Sequence, residues 1–231
     1  MSDHSTPTAP KTRGHTIRRW ARFYDWLTRL MSLGRRDTFR TSVLAQADLA
    51  AGMRVLDVGC GTGTLALDLK RAVGDAGTVS GVDASPEMIE IATKKARGKG
   101  VAIDLRVGVA EELPYENSSF DRVTSTLVFH HLPDDLKLES LREIHRVLQP
   151  GGRVVVGDFA PGSGPFIHRV LSRVLGRLEQ LHGGRDDDSP GHSHGQTRPL
   201  VELMRETGFS EATLSPSADA QIEFTVATRP V

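Results

Sequence analysis

Three stretches of this 231-residue chain predict an open α/β fold, a mostly parallel sheet with helices on both faces. The first is the apolar run Val55-Leu-Asp-Val58, which leads into Gly59, Gly61 and Gly63 and then into a helix-like segment from Leu65 to Val73. An apolar run, a glycine cluster and a 3.6-residue periodicity in succession read as strand, tight turn and helix. The second is Gly77 to Asp83, another apolar run ending in an acid, with Ser85 and Pro86 placed as N-cap and first residue of a further helix. Third, strand-like runs at 102–107, 120–127 and 152–158 alternate with helical patterns, the order that pairs parallel strands through crossover helices. With 38% hydrophobic residues the chain suffices for one such core rather than two small ones.

Residues 1–14 are rich in Ser, Thr and Pro and are expected to be a disordered tail. From Ile17 to Met31 large apolar residues interleave with arginines at helical spacing, which predicts an amphipathic helix carrying both tryptophans of the chain. Charge is uneven here: residues 1–40 hold nine Lys and Arg against three Asp, although the whole chain balances 29 basic against 29 acidic side chains. That basic face reads as a solvated helix surface, or as one suited to peripheral contact with an anionic membrane. The opening MSDHSTPTAP lacks the apolar segment of a signal peptide and no apolar run reaches the ~18 residues of a membrane span, so a cytoplasmic location is expected. Phe23 to Gly34, reading F-Y-D-W-L-T-R-L-M-S-L-G, resembles the K-Y-D-x-x-N-x-x-M-S-x-G signature of the ubiquinone/menaquinone C-methyltransferases. The resemblance implies a helical cap with Tyr24 near the cofactor, and Thr28 departs from the family's Asn.

At the glycine turn the backbone can approach a ligand closely, and the helix behind it offers unpaired N–H groups. A nucleotide-like cofactor is the expected occupant. A dinucleotide fingerprint G-x-G-x-x-G beginning at Gly59 would need glycine where this chain has Thr64. VLDVGCGTG instead resembles motif I of the class I S-adenosylmethionine-dependent methyltransferases, a Rossmann-like family with seven strands, mostly parallel, the last antiparallel between its neighbours. The resemblance implies S-adenosylmethionine (AdoMet) as cofactor and S-adenosylhomocysteine as product. It places Asp57, Gly59, Cys60, Gly61 and Gly63 around the methionine end. Cys60 is the single cysteine, so no internal disulfide forms, and it reads as a small turn residue rather than a nucleophile.

Asp83 falls at the carboxyl end of the second strand, where one carboxylate can accept both hydroxyls of a ribose. Its string V-D-A-S-P-E-M resembles the same family's next motif, which implies Ala84 and Met88 against the adenine. Gly108 to Tyr115 resembles the family string G-D-A-E-x-L-P-F, whose Asp meets the adenine amino group and whose next residue offers a backbone N–H. This chain has Val109 and Ala110 there, so the backbone contact is expected to persist and the carboxylate contact to be lost. After the fourth strand, Val128-Phe-His-His-Leu-Pro-Asp134 lies at the edge where open α/β sheets bind ligands, which makes His130 and His131 the candidate catalytic residues. F-H-H-L-P-D resembles motif IV of many small-molecule methyltransferases and implies the backbone near Leu127 at the methionine ammonium. The quinone C-methyltransferases hold F-G-x-R-N here; His130 takes the Arg place and His131 the Asn. A histidine in this position is read either as a general base or as a pocket wall, since methyl transfer can proceed by alignment alone.

A helix is predicted from Asp135 to Gln149, stopped by Pro150-Gly-Gly152 ahead of a strand ending at Asp158, in a string resembling motif III of the superfamily. Residues 164–181 read as an amphipathic helix closing the substrate side, and 182–195 as a glycine-rich lid. His182, His192 and His194 follow no metal-ligand spacing, so no metal is expected. A helix over 197–207 and strands over 212–216 and 221–228 complete the chain. The expected organisation is a tail (1–14) and one domain (15–231), divided into cap (15–50), cofactor core (51–160), substrate-side helices and loop (161–208) and final strands (209–231). The expected function is methyl transfer from AdoMet to a small, apolar or aromatic acceptor. A nucleic-acid substrate is not expected, because the fourth strand carries F-H-H-L where such enzymes carry an N-P-P-Y-like motif. A phospholipid N-methyltransferase and an AdoMet-binding protein without transferase activity stand as alternatives. Oligomeric state is not legible.

Overall fold

The computed structural model describes residues 36–160, 198–216 and 222–231. The predicted cap helix with Tyr24, the 164–181 helix, the 182–195 loop and the 217–220 turn lie outside the described residues. Seven strands form one sheet: β1 (Arg54–Val58), β2 (Thr78–Asp83), β3 (Asp104–Val107), β4 (Phe120–Thr126), β5 (Leu148–Phe159), β6 (Ser210–Pro216) and β7 (Ile222–Thr228). Their spatial order is β3-β2-β1-β4-β5-β7-β6, with β7 antiparallel to both neighbours and the other pairs parallel, as the sequence predicts.

The apolar residues of the strands alternate between two packed layers. Val55, Val79, Val155 and Phe224 face one core with Leu65, Ala66 and Leu69 of α2 (Thr64–Val73) and Val43 and Ala47 of α1 (Arg36–Ala47). Leu56, Val58, Val123, Val154 and Val156 face the other, with Leu141, Ile144 and Val147 of α4 (Asp134–Val147) and Leu203 and Met204 of α5 (Leu200–Glu206). Alternate side chains of a strand point to opposite faces, so a strand buried on both reads as a continuous apolar run. α3 (Pro86–Gly98) runs from β2 to β3, with Ser85 as its N-cap accepting from the Met88 N–H at 3.2 Å.

α1 was not distinguished by sequence from the cap. Its Phe39 stacks on Phe224 with centroids 5.7 Å apart, which makes α1 a layer helix of the sheet. β5 begins four residues earlier than the predicted strand and runs through Pro150-Gly-Gly152. Pro150 is tolerated because the β4–β5 register shifts there, Phe120 pairing with Leu148 and Arg122 with Arg153, so no ladder donor is required. The expected loop after β4 contains a short 3-10 turn, Phe129–His131. The strand order reverses between β2-β1 and β4-β5, and the carboxyl ends of these four strands define the ligand edge of such a sheet.

Candidate functional site

The glycine turn is tied onto the end of β2. The Gly59 and Cys60 N–H groups both donate to the Val82 carbonyl, at 2.8 and 3.0 Å. Asp83 holds the other side: one carboxylate oxygen accepts the Gly61 N–H at 2.8 Å, the other the Ser85 N–H at 2.9 Å. Burial raises the Asp83 pKa, and these two bonds oppose the rise. Each oxygen keeps a second lone pair, so two vicinal hydroxyls could still be accepted.

Gly59 has φ +72°, and a Cβ there would lie 2.2 Å from Val128 Cγ2 on the loop after β4. Gly61, at φ +52°, would place a Cβ with nothing within 4 Å. Glycine is therefore demanded at 59 by packing between two rims of the edge, whereas at 61 a Cβ would meet open space and only the positive φ favours glycine.

Behind the turn, Asp57 is buried with 1% exposure. Its Oδ1 accepts from Thr124 Oγ1 at 2.9 Å, and its Oδ2 has no hydrogen-bond partner among the described residues. Desolvation pushes its pKa up to about 7; the Thr124 bond opposes this and the charge of Asp83 adds to it. A buried carboxylate oxygen without a donor is costly unless a cation or donor meets it, and the ammonium of AdoMet is a group of that kind. Leu127, just past β4, adopts φ +58°, a left-handed conformation rare for leucine. Its N–H donates to the Gly157 carbonyl at 2.8 Å, so its carbonyl is what it can offer an ammonium. The residues present thus fit the cofactor expected from sequence.

The remaining predicted contacts are placed as follows. Cys60 is buried, and burial followed by the charges of Asp57 and Asp83 holds its thiol pKa well above the usual range, so it stays protonated. Met88 and Val109 are buried, while Ala84 and Ala110 are partly exposed beside them in the chain. Tyr24 lies outside the described residues.

On the other side of the edge, buried Phe129 anchors the 3-10 turn and brings His130 over the end of β5. His130 Nδ1 lies 2.6 Å from Asp158 Oδ1, and its backbone N–H donates to Asp158 Oδ2 at 2.8 Å. The His130 side chain is 24% exposed and that of Asp158 15%. The His131 ring packs on His130 with centroids 3.8 Å apart, and the Phe159 ring meets His130 edge-on at 5.1 Å. Sequence reasoning placed His130 and His131 here but missed the link of His130 to Asp158. The signal lay in the parallel register, which sets Thr126, the last residue of β4, against Gly157 and so brings the turn just past β4 beside the last residues of β5. Among the described residues no group of three or more His, Cys, Asp or Glu could hold a metal; the 182–195 loop is not among them.

Comparison with known proteins agrees with this fold. The model of a family described as methyltransferase domain matches residues 55–152. A demethylmenaquinone methyltransferase of Deinococcus radiodurans is 37% identical over 80% of this chain and 80% of its own. One from Lactobacillus johnsonii is 32% identical over 85% of this chain and 84% of its own. Among solved structures, an AdoMet-dependent methyltransferase from Aquifex aeolicus superposes with a TM-score of 0.60 at 21% identity, over 82% of this chain and 88% of that one, which establishes likeness of fold. The two sequence relatives give no support to the phospholipid N-methyltransferase alternative.

Proposed function

From the premise that this chain belongs to the class I AdoMet-dependent methyltransferases, we propose that it methylates a small, apolar or aromatic acceptor held at the β4–β5 rim. The observation that carries the cofactor half of this reading is the buried Oδ2 of Asp57, unpartnered among the described residues, set behind a turn whose Gly61 has open space where a Cβ would lie. Asp57 and the Leu127 carbonyl would hold the ammonium, Gly59 to Gly63 the methionine chain, and Asp83 the ribose. Ala84, Met88, Val109 and Ala110 would enclose the adenine, with Tyr24 covering the site. When bound, AdoMet supplies an electrophilic methyl on a sulfonium sulfur. The chain's own task is then to align a nucleophile with that methyl and to exclude water.

On the acceptor side, Phe159 and the two histidines supply aromatic rings, with the Asp158 carboxylate against His130. Two relatives that are demethylmenaquinone methyltransferases support a flat aromatic acceptor, whereas His130 and His131 in place of Arg and Asn support one that is positioned differently. The test is calorimetric titration of the full chain with AdoMet, followed by mass-spectrometric detection of S-adenosylhomocysteine with naphthohydroquinone, phenols, amines and thiols as acceptors. Binding without S-adenosylhomocysteine from any of them would remove the small aromatic acceptor; no binding would remove the cofactor assignment itself.

A further inference from the structure

Three consecutive main-chain carbonyls in the loop after β3 each accept a hydrogen bond from a guanidinium. Arg146, in the last turn of α4, donates from Nη2 to the Leu113 carbonyl at 3.0 Å and from Nη1 to the Tyr115 carbonyl at 2.8 Å. Between them the Pro114 carbonyl accepts from Arg106 Nη1 of β3 at 2.9 Å, and the Arg106 guanidinium lies 4.9 Å from the centre of the Tyr115 ring. Glu143 completes the arrangement. Its Oε2 accepts the Leu113 N–H at 2.9 Å, while Oε1 and Oε2 take Nε and Nη2 of Arg146 at 2.7 and 2.8 Å. A guanidinium and a carboxylate joined by two parallel bonds fix each other's orientation. The pair on α4 thus grips both the N–H and the C=O of Leu113, as a neighbouring strand would.

Satisfying loop backbone is one use of such bonds, but Pro114 is exposed, where water can serve a carbonyl equally well. The place of the loop gives a second use. The segment begins at Gly108, whose N–H donates to the Asp83 carbonyl at 3.0 Å, folds back through a bridge between Val109 and Glu112, and buries Leu113. Val109 and Ala110 therefore have a fixed point on either side, the end of β2 before them and the Glu143–Arg146 pair after them. α4 itself is seated on the core by Leu141, Ile144 and Val147, each fully buried. Resting on the cofactor reading above, we propose that Glu143, Arg146 and Arg106 are positioning residues that hold the wall formed by Val109 and Ala110 in place for the adenine of AdoMet before the cofactor arrives. They act through the loop and not on the cofactor.

A preformed wall spares the ligand the cost of ordering a loop when it binds. A wall that is in place only part of the time lowers apparent affinity in proportion to that fraction. The loss is confined to the part of the ligand that meets the wall. Adenine feels it, whereas the methionine chain and the ribose, assigned to the glycine turn and to Asp83, do not. A role in stability alone would lower the melting temperature and change the affinity of every ligand by one common factor, or of none.

The experiment titrates the full chain, by calorimetry and NMR, with S-adenosylhomocysteine, with 5′-methylthioadenosine, which lacks the amino-acid end, and with S-ribosylhomocysteine, which lacks adenine. Glu143→Gln sets an amide N–H against a donor whichever way the amide turns, and Arg146→Gln breaks the paired contacts to the two carbonyls. Each is expected to weaken the two adenine ligands by about three- to tenfold and S-ribosylhomocysteine by less than about twofold. Arg106 has 47% of its side chain exposed, so Arg106→Gln leaves the fold intact and should show the same pattern at smaller size. In the free variants, hydrogen exchange should quicken at the Glu112 N–H, which donates to the Val109 carbonyl, and stay as in wild type at the Gly61 N–H, which Asp83 holds. An equal loss for all three ligands, unchanged affinities, or unchanged exchange at Glu112 would each overturn the positioning role, whatever the melting temperature does. Should Glu143→Gln and Arg146→Gln fail to fold, Arg106→Gln decides between the same outcomes. Absence of S-adenosylhomocysteine binding by the wild type is a separate result and would overturn the cofactor reading beneath it.

Discussion

At the β1–β2 end of the ligand edge the groups on display are largely main chain: a left-handed turn at Gly59 to Gly63, with its N–H groups spent on the Val82 carbonyl and the Asp83 carboxylate. At the β4–β5 end they are side chains, His130 on a 3-10 turn and Asp158 on a strand 28 residues away. The first rim is a cradle whose shape is set by backbone conformation, the second a hydrogen-bonded pair of side chains from two distant segments. A rim built of backbone changes little as side chains vary, whereas at the second side chains can change without disturbing the sheet.

Val128 joins the two rims, and the largest effect is expected there. Gly59→Ala drives a methyl group into Val128 Cγ2 and holds alanine at φ +72°, so AdoMet binding should weaken at least a hundredfold, about 3 kcal/mol, with a lower melting temperature. Adding Val128→Ala should recover part of the loss. Wild-type affinity in Gly59→Ala would show that the rims do not meet in solution. Next in size is Asp83→Ala. Two charge-assisted bonds to backbone are removed along with the proposed ribose contact, so affinity should drop at least tenfold by calorimetry, and more than that with the turn itself loosened.

A pH effect separates the rims without mutation. With Asp57 at about 7 in the unliganded protein, AdoMet affinity should rise nearly tenfold per pH unit below that value and level off above it, because the ionised form is the one that meets an ammonium. Stability of the unliganded protein runs the other way. The folded pKa lies above the unfolded value of 3.8, so the Asp57 contribution is fully present below 3.8 and is lost as pH rises through about 7. Asp57→Asn should flatten both curves, and parallel slopes of affinity and stability would contradict the assignment. The smallest effect is expected at Val109→Asp, which restores the family's carboxylate at a site with 8% exposure. A hydrogen bond to the adenine amino group is worth ~0.5–1.5 kcal/mol, so AdoMet should tighten less than about tenfold, and an analogue lacking that amino group should not. Equal changes for both ligands would move the adenine elsewhere.

Most of the sheet was readable because burial on two faces forces apolar runs and because turns between strand and helix demand glycine. Asp57, Asp83 and the glycines could be placed at the ligand edge for that reason: their positions follow from where a strand ends. The partner of His130 was not found, because Asp158 is remote in sequence and resembles any acid closing a strand. The length of β5 was misjudged at Pro150, where local propensity predicts a stop and a register shift with β4 removes the need for a donor. α1 was merged with the cap for a similar reason, since its mixed polarity gives little periodic signal while Phe39 finds a stacking partner almost two hundred residues on.

From residues alone came the alternation of strands and helices, the glycine turn, the acids at strand ends and therefore the kind of cofactor, because each rests on local backbone geometry that a few neighbouring residues enforce. Folding in three dimensions settled matters that no local rule contains. It left one oxygen of Asp57 without a partner among the described residues by burying it beside a single hydroxyl, pressed Gly59 against Val128, and set His130 on Asp158 by laying β5 next to β4 in register. Burial, steric contact and hydrogen-bond pairing between distant segments depend on where the chain returns to itself, and that is a property of the packed sheet rather than of any stretch of sequence.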